Sequence, residues 1–399
     1  YYFVYQDYKD VRLVGTPPES LGKFGGDTDH LEWPRHTADF SMFRVYADAN
    51  GDPADYSQNN VPLKPKHYLP VNIGGVQEND FAMILGYPGR TNRWMPAGGI
   101  DQNVKFAYPA WVEGSKTSMD AMKKYMVKSD EINLIYASKY AGVANYWKNR
   151  QGMIDALSKF GTAKSKAVQE AKFNKWANKK ENKAKYGNVV SNINKYYTLT
   201  NEKSRHDNYM MQLFRSSAFG TVSRGLGRQL EAYAKADATK RAQMKPRILE
   251  MVEGMHKELH LPAEKEMLAA QLNLYAKKAG YSLAPIVEKL AKENNGDFTK
   301  YVNDAFDASI FTSVEKVKAF LETPSEAMVT GDPLYVLTND MLNHYNFRSQ
   351  ELITAQNDFG ASFRLLVEGL RESKIGEIKY PDANSTLRLT YGKVRSLPA

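Results

Sequence analysis

The sequence predicts an α+β protein of several domains, in which a long helical region interrupts a β-rich one. Residues 1–93 contain β-branched and aromatic runs separated by Gly, Pro, Asn and Asp, whereas apolar residues from about 116 to 372 recur at helical spacing. After Pro381 the pattern alternates with a period of two again. We therefore predict a β domain at 1–93, an inserted helical domain at 94–375, and a return to the β domain at 376–399.

The β region is predicted to contain strands at 11–14, 40–46 and 81–85, and the last of these is apolar enough to be a buried strand. Turn residues at 48–53 separate two of them. The run Gly-Tyr-Pro-Gly-Arg-Thr at 86–91 superficially suggests a phosphate-binding loop. We interpret it as a tight connecting turn, because it lacks the Gly-Lys-Ser/Thr ending and no helix start follows it.

The helical region is expected to form a bundle of roughly eight to ten helices, with breaks near glycines. Met119, Met122 and Met126 fall at helical spacing, and Thr312 with Glu315 forms a capping box that predicts a helix start. No fixed repeat is present, which argues against a solenoid. An inserted helical domain commonly covers the domain it interrupts, so we expect a ligand cleft between the two.

Positive charge is concentrated in the helical region. The chain carries a net charge of +9, and eight lysines lie within 164–185, interleaved with Phe173, Trp176 and Tyr186. Such a segment is typical of a nucleic-acid-binding surface, or of a solvated helix face whose aromatic residues point inward. We favour the second interpretation because no nucleic-acid motif accompanies the lysines. A third interpretation, a basic surface that steers anionic peptides, stays open.

Several classes of protein and site are excluded. The chain has no cysteine, which excludes disulfides, a thiolate nucleophile, a zinc finger and an iron–sulfur site within it. No run of about 18 apolar residues is present, so no membrane-spanning helix is expected. His256 and His260 have metal-ligand spacing, but no third ligand is evident, and an exposed helix face is the preferred interpretation. We expect neither a metal nor a cofactor.

The densest cluster of polar residues spans 25–39. It contains three aspartates, a glutamate, two histidines and an arginine, and it directly precedes the strand predicted at 40–46. Catalytic groups are often found in loops that a rigid β scaffold holds at strand ends. Taken alone, the cluster is compatible with a functional site and with a structural, hydrogen-bonded loop.

Seven motifs, in order along the whole chain, resemble the bacterial dipeptidyl-peptidases of serine peptidase family forty-six. They are Tyr-Lys-Asp-Val-Arg-Leu-Val-Gly at 8–15, Phe-Gly-Gly-Asp-Thr-Asp at 24–29, Trp-Pro-Arg-His-Thr-Ala-Asp-Phe at 33–40, Gly-Tyr-Pro-Gly-Arg-Thr at 86–91, Tyr-Ala-Ser-Lys-Tyr-Ala-Gly at 136–142, Asn-Tyr-Trp-Lys-Asn at 145–149 and Pro-Asp-Ala-Asn-Ser-Thr-Leu-Arg-Leu-Thr-Tyr-Gly at 381–392. The resemblance implies a chymotrypsin-like double β-barrel with a large all-α domain inserted over its cleft. It also implies a serine peptidase that removes dipeptides from a free amino terminus.

By this resemblance Asp39 is the aspartate of the Ser-His-Asp triad. The histidine and the serine lie outside this chain, so we expect the chain alone to be inactive. Asn145 corresponds to an asparagine that binds the α-amino group of the substrate. A second contribution comes, in the family, from an Asn-Trp pair, and here His30 and Leu31 occupy those positions. This departure predicts an altered amine pocket.

The resemblance further implies an oligopeptide substrate, no nucleic-acid partner and assembly as a homodimer. It implies a periplasmic or cell-surface location, with a signal peptide in the full-length protein, and we expect this chain to be a piece of that longer protein. Two alternatives remain. The His30 and Leu31 departures are compatible with a peptide-binding homologue that has lost catalysis, and the lysines at 164–185 with a basic nucleic-acid-binding helical protein.

Overall fold

A computed structural model describes residues 2–25, 37–376 and 381–396 of the chain. They form two compact units. The first, called the β unit, comprises Tyr1–Arg90 and Ala383–Ala399, and the second, called the helical unit, comprises Thr91–Asp382. The protein is therefore largely helical with small sheets, as the predicted α+β class requires.

The described part of the β unit contains two small antiparallel sheets and one short helix. The strands are β1 (Val11–Gly15), β2 (Met42–Ala47), β3 (Val61–Pro62), β4 (Phe81–Gly86) and β5 (Arg388–Lys393), and the helix is α1 (Glu19–Gly22). One sheet has the order β1-β2-β3, with a bulge between Leu13 and Gly15. In the other, β4 pairs with β5 from Phe81↔Lys393 to Gly86↔Arg388, although the helical unit separates these strands in sequence.

The strands predicted at 11–14 and 40–46 are confirmed as β1 and β2, and the turn at 48–53 is also present. Asp48 Oδ1 accepts hydrogen bonds from the backbone nitrogens of Asn50 at 2.8 Å and Asp52 at 2.9 Å. The strand predicted at 81–85 is present as β4, but the expectation that it is buried was wrong. Phe81 is 63% exposed and Ile84 is 71% exposed. Among the described residues β4 pairs only with β5, and a two-stranded sheet leaves both of its faces open unless another layer covers them.

The helical unit contains more helices than predicted. In its described residues the α-helices are α2 (Ala97–Gln102), α3 (Tyr108–Met126), α4 (Asp130–Lys159), α5 (Thr162–Ala177), α6 (Lys183–Tyr186), α7 (Val189–Ser216), α8 (Leu226–Lys235), α9 (Ala238–Lys257), α10 (Leu261–Lys278), α11 (Pro285–Glu293), α12 (Thr299–Ala308), α13 (Val314–Glu322), α14 (Glu326–Thr330), α15 (Pro333–Asn346) and α16 (Gln350–Glu372). A π-helical turn (Asn103–Ala107) and a 3₁₀ turn (Ile310–Thr312) connect some of them. The expectation of eight to ten helices was wrong because many helices end without a glycine. Ser129, Asp237 and Ser349, for example, cap new helices through their side chains.

Three apolar clusters form the core of the helical unit. The largest includes Leu213 and Met210 of α7 and Leu272 of α10, all fully buried. The second joins α3, α4 and α10, and it contains two of the three methionines predicted at helical spacing, Met119 and Met122. Their burial confirms that the methionine spacing marks a core-facing stripe.

The third cluster explains the lysine-rich segment at 164–185. Phe173 and Tyr186 are buried together against Ile193 of α7 and Leu366 of α16. Trp176 packs at the edge of the same cluster, with its ring 5.0 Å from that of Tyr186. The aromatic residues therefore stabilise the fold, and the prediction of a solvated helix face with inward-pointing aromatics is confirmed.

Two local predictions in the helical region were wrong. Helix α9 ends at Lys257, and His260 lies before the first residue of α10, so His256 and His260 do not share a helix. The cap of α13 is Ser313 rather than Thr312, because Thr312 belongs to the preceding 3₁₀ turn. Ser313 Oγ accepts from the backbone nitrogens of Glu315 and Lys316, at 3.1 and 3.3 Å. The helix start itself was predicted correctly.

The two ends of the helical unit lie next to each other. Thr91 Oγ1 donates to Asp382 Oδ1 at 2.8 Å, and the backbone nitrogen of Arg93 donates to the same oxygen at 2.7 Å. The first of these bonds joins two motif residues that are 291 positions apart. In the described part of the chain, no helix is both long and apolar enough to cross a membrane.

Candidate functional site

Asp39 lies in the β unit, three residues before β2 begins. The backbone next to it is held in place, because the nitrogen of Ala38 donates to the carbonyl oxygen of Leu21 in α1 at 3.0 Å. The side chain of Asp39 is exposed, and its carboxylate makes no hydrogen bond or ion pair with any residue that the structure describes. It is therefore accessible to a hydrogen-bond donor.

His30 and Leu31, the two residues predicted to alter the amine pocket, lie outside the described residues. The structure therefore does not test the altered amine pocket.

A second motif residue of the β unit, Asp10, has a structural role. Its buried carboxylate accepts from Arg12 at 2.9 and 2.8 Å and from Asn60 Nδ2 at 2.8 Å. Arg12 in turn lies over the ring of Tyr46, 3.8 Å from its centre. The hydrogen bond from Arg12, followed by that from Asn60, lowers the pKa of Asp10 to about 2 against the opposing effect of burial. This motif therefore holds β1 against the loop that follows β2.

Asn145 lies on α4, in the helical unit, with an exposed side chain. Two other residues of its motif, two and three positions further along, are buried at their polar ends. Trp147 Nε1 and Lys148 Nζ are shielded from solvent, and neither has a hydrogen-bond partner among the described residues. The motif thus places an exposed amide next to two buried donors.

A buried carboxylate fixes α4 against α10. Glu264 is fully buried, and its Oε1 accepts from the hydroxyl of Tyr136 at 2.7 Å. Its Oε2 accepts from Ser217 Oγ at 2.8 Å and from the backbone nitrogen of Ala218 at 2.7 Å. Lys139 Nζ lies 3.8 Å from Oε1 and supplies a nearby positive charge. Glu264 thereby positions the helix that carries Asn145.

Burial is the main cause of the pKa shifts around Glu264. Burial, reinforced by the negative charge of Glu264, raises the pKa of Tyr136, so this phenol stays protonated and donates. Burial lowers the pKa of Lys139, although Glu264 opposes that effect. His260, whose backbone nitrogen donates to the Tyr136 hydroxyl at 3.1 Å, has its pKa lowered by burial and by the charge of Lys128.

Beside Asn145, α3, α4 and α7 enclose a small pocket of about 250 Å³, which we call the Trp111 pocket. It is lined by Trp111, Ser115, Ser118, Lys139, Gly142, Val143, Tyr146, Gln212, Arg215 and Ser216. The rings of Trp111 and Tyr146 form one wall, with their centres 6.2 Å apart. None of the lining residues is acidic.

A larger groove of about 1140 Å³ lies between α3, α10, α12 and the start of α13. Four of its five charged residues form two ion pairs. Lys124 Nζ lies 2.6 Å from Glu266, and Lys265 Nζ lies 2.8 Å from Asp307. The fifth, Lys316, donates from Nζ to the backbone carbonyl oxygens of Asp307 and Ser309 at 2.6 and 3.0 Å, and it forms no ion pair with a described residue.

Sequence reasoning missed Glu264 and the Trp111 pocket. Glu264 has no motif of its own, and its partner Tyr136 is more than 100 residues away in the sequence. The one available signal was Tyr136, which belongs to a motif used for the family resemblance. Within the described ranges 2–25, 37–376 and 381–396, no group of His, Cys, Asp and Glu has the arrangement of a metal site.

Comparison with known proteins identifies a matching family and several similar proteins. The family Peptidase S46 matches residues 1–398. The dipeptidyl-peptidase 7 of Capnocytophaga gingivalis is 51% identical over 100% of this chain and 55% of its own length. The Asp/Glu-specific dipeptidyl-peptidase of Flavobacterium psychrophilum is 34% identical over 98% of the chain and 55% of its own length.

Comparison of the fold with solved structures also finds a match. The crystal structure of DPP11 from Porphyromonas endodontalis, in complex with the dipeptide Arg-Glu, matches with a TM-score of 0.79 and 30% identity. That match covers 97% of this chain and 56% of the DPP11 chain. The chain thus spans about half the length of the relatives that it matches.

Proposed function

Because the chain belongs to the family Peptidase S46, we propose that it is part of a serine-type dipeptidyl-peptidase that releases dipeptides from the free amino terminus of oligopeptides. Two observations carry the proposal: the family match covers residues 1–398, and a dipeptidyl-peptidase is 51% identical over the whole chain. The complete protein would cleave by acyl transfer, with a Ser-His-Asp triad of which only the aspartate lies here.

In this proposal Asp39 is the triad aspartate. It accepts the Nδ1 proton of an imidazole from polypeptide outside this chain, holds the ring in the tautomer that can take the serine proton, and stabilises the imidazolium. The exposed carboxylate of Asp39, which has no partner among the described residues, supports this role. The chain by itself lacks the nucleophile and the base, so it cleaves no peptide.

We assign the β unit to part of a double β-barrel of the chymotrypsin type. The apolar strand β4 is exposed on both faces. Phe81 and Met83 lie on one face and Ile84 lies on the other, and all three are exposed. Such a strand is expected to be covered by further strands, and the relatives are nearly twice as long as this chain. The remaining polypeptide of the complete protein would supply that cover.

Asn145 is assigned to the recognition of the substrate's α-amino group, since the residue is exposed and an amide oxygen can accept from an ammonium. His30 and Leu31 replace the second set of acceptors, and we expect the complete protein to lose activity below about pH 6.5, where an unperturbed histidine becomes protonated.

The complete protein is assigned to the periplasm or the cell surface, as a homodimer.

The test is dipeptide release by the complete protein from fluorogenic dipeptide substrates. Asp39→Asn should lower kcat by about 10⁴-fold with a small change in KM, as loss of the correct tautomer does in such triads. Asp52→Asn, an exposed carboxylate in the same unit, is the control and should leave kcat unchanged. Equal effects of the two substitutions would overturn the assignment.

The alternative, a peptide-binding homologue without catalysis, is favoured by the His30 and Leu31 departures. It would be established if the wild-type complete protein bound peptides and released no dipeptide from them.

A further inference from the structure

The Trp111 pocket has the chemical character of an anion site. Arg215 and Lys139 bring two cations to it, and no lining residue is an aspartate or a glutamate. Ser118 Oγ already accepts a hydrogen bond from Gln271 Nε2 at 2.7 Å, so its own proton is free to be donated into the pocket. The pocket is therefore rich in donors and poor in acceptors.

The two cations differ in how they are compensated. Lys139 lies 3.8 Å from the buried Glu264, which balances its charge. Arg215 has no carboxylate partner within the described residues, and its guanidinium lies over aromatic rings instead, 5.7 Å from the centre of Trp111 and 5.8 Å from that of Tyr146. A guanidinium held by stacking keeps its donors available, and it matches the geometry of a carboxylate.

Trp111 adds a second observation. Its indole nitrogen is buried and has no acceptor in the part of the chain that the structure describes. A buried donor without an acceptor is costly, but solvent does not reach this nitrogen, so it does not face the open volume of the pocket. Trp111 therefore contributes its ring, rather than a free donor, to the wall of the pocket.

The size of the pocket limits what it can hold. About 250 Å³ is below the 300–1,000 Å³ typical of pockets for drug-sized ligands, so a single side chain or chain end fits better than a whole peptide. Gly142 and Tyr146 of α4 line the pocket, and Asn145 lies beside them on the same helix. A peptide held at Asn145 would therefore have this pocket within reach of its next groups.

We propose that the Trp111 pocket is a subsite for a carboxylate of the peptide substrate, held by the guanidinium of Arg215 with support from Lys139 and Ser118. The proposal rests on the proposed peptidase function for the identity of the ligand. The carboxylate comes from an acidic side chain or from the carboxyl terminus of a short peptide, and the two sources share the same chemistry at Arg215.

The experiment uses the full-length protein that contains this chain, labelled with 5-fluorotryptophan and observed by fluorine NMR. Loss of one resonance in Trp111→Phe identifies the signal of Trp111. Three ligands are titrated: N-acetyl-glutamate α-amide has only a side-chain carboxylate, N-acetyl-glutamine has only a terminal one, and N-acetyl-glutamine α-amide has neither.

The Trp111 resonance should shift saturably with at least one of the two acids and not with the neutral amide. The acid that binds more tightly identifies the source of the carboxylate. Arg215→Gln should weaken that binding by about tenfold or more, the usual effect of losing a hydrogen bond to a charged group. Arg150→Gln is the matched control, because Arg150 lies 5.9 Å from the same ring without lining the pocket, and it should leave the affinity unchanged.

The proposal fails if neither acid shifts the Trp111 resonance, if the neutral amide shifts it equally, or if Arg150→Gln weakens binding as much as Arg215→Gln. Its failure is distinct from that of the peptidase function. Dipeptide release by the unlabelled wild-type protein is measured separately, and it does not depend on the outcome of the titration.

Discussion

Replacing Glu264 with methionine should destabilise the packing of α4 on α10 by about 2.5–6 kcal/mol. The substitution keeps the volume of the side chain and removes both acceptor oxygens. The backbone nitrogen of Ala218, 2.7 Å from Oε2, is left without an acceptor, at a cost of about 1–3 kcal/mol. The hydrogen bond from Tyr136 at 2.7 Å, which is made to a charged group, contributes about 1.5–3 kcal/mol more.

Amide hydrogen exchange measured by mass spectrometry is the appropriate assay, because a chain with two units has no single free energy of unfolding. Peptides from α4 and α10 should exchange at least about 100-fold faster in Glu264→Met, since each 1.4 kcal/mol corresponds to a factor of ten. Peptides from β1 and β2, in the other unit, should be unaffected.

Glu266→Met is the matched control, two residues further along α10. Glu266 forms a surface ion pair with Lys124 at 2.6 Å, and its side chain is about one-third exposed. Such pairs contribute about 0–1 kcal/mol, so exchange should change by less than about fivefold. If Glu264→Met accelerated exchange no more than Glu266→Met does, the buried carboxylate would not be what positions α4.

Three further predictions concern Asp10, Gly369 and the activity of the isolated chain. Arg12 lowers the pKa of Asp10 to about 2, so the carboxylate of Asp10 stabilises the β unit above about pH 4. This contribution is lost as the pH falls towards 2. Asp10→Asn should therefore abolish that part of the acid dependence of amide hydrogen exchange in β1. Gly369→Ala should lower the free energy of unfolding of the helical unit by about 1–3 kcal/mol, because the new Cβ would lie 2.6 Å from the ring of Phe173. Gly360→Ala, on the same helix, is the control: its Cβ would meet nothing within 4 Å, so the substitution should be neutral or stabilising. The purified 399-residue chain should release no dipeptide from substrates that the complete protein cleaves, and release at enzyme-like rates would contradict the role given to Asp39.

Much of the local structure was predictable from the sequence. The alternation at 11–14 and 40–46 predicted β1 and β2, and the methionine spacing predicted the buried stripe of α3. These patterns follow from the geometry of one element, in which side chains alternate along a strand and recur every 3.6 residues in a helix. Helix ends were less predictable, because a cap depends on the conformation of one residue, as the shift from Thr312 to Ser313 shows.

The candidate residues of each unit divide in the same way. Asp39 and Asn145 could be found from the sequence because each belongs to a contiguous motif of a known family. Arg215 and Glu264 could not, because neither has a local signature, and their significance comes from residues on other helices. Lys139, for example, meets Glu264 across 125 positions of sequence.

The sequence by itself determined the order of β and helical regions, the family and the residues of its motifs. Only the tertiary structure decided which apolar strand is left exposed, which carboxylate is buried between helices, and which arginine has a guanidinium without a carboxylate partner among the described residues. The physical reason is that burial and charge compensation depend on what packs against a residue, and those neighbours lie far along the chain. A strand as apolar as β4 looks the same in sequence whether or not another layer covers it.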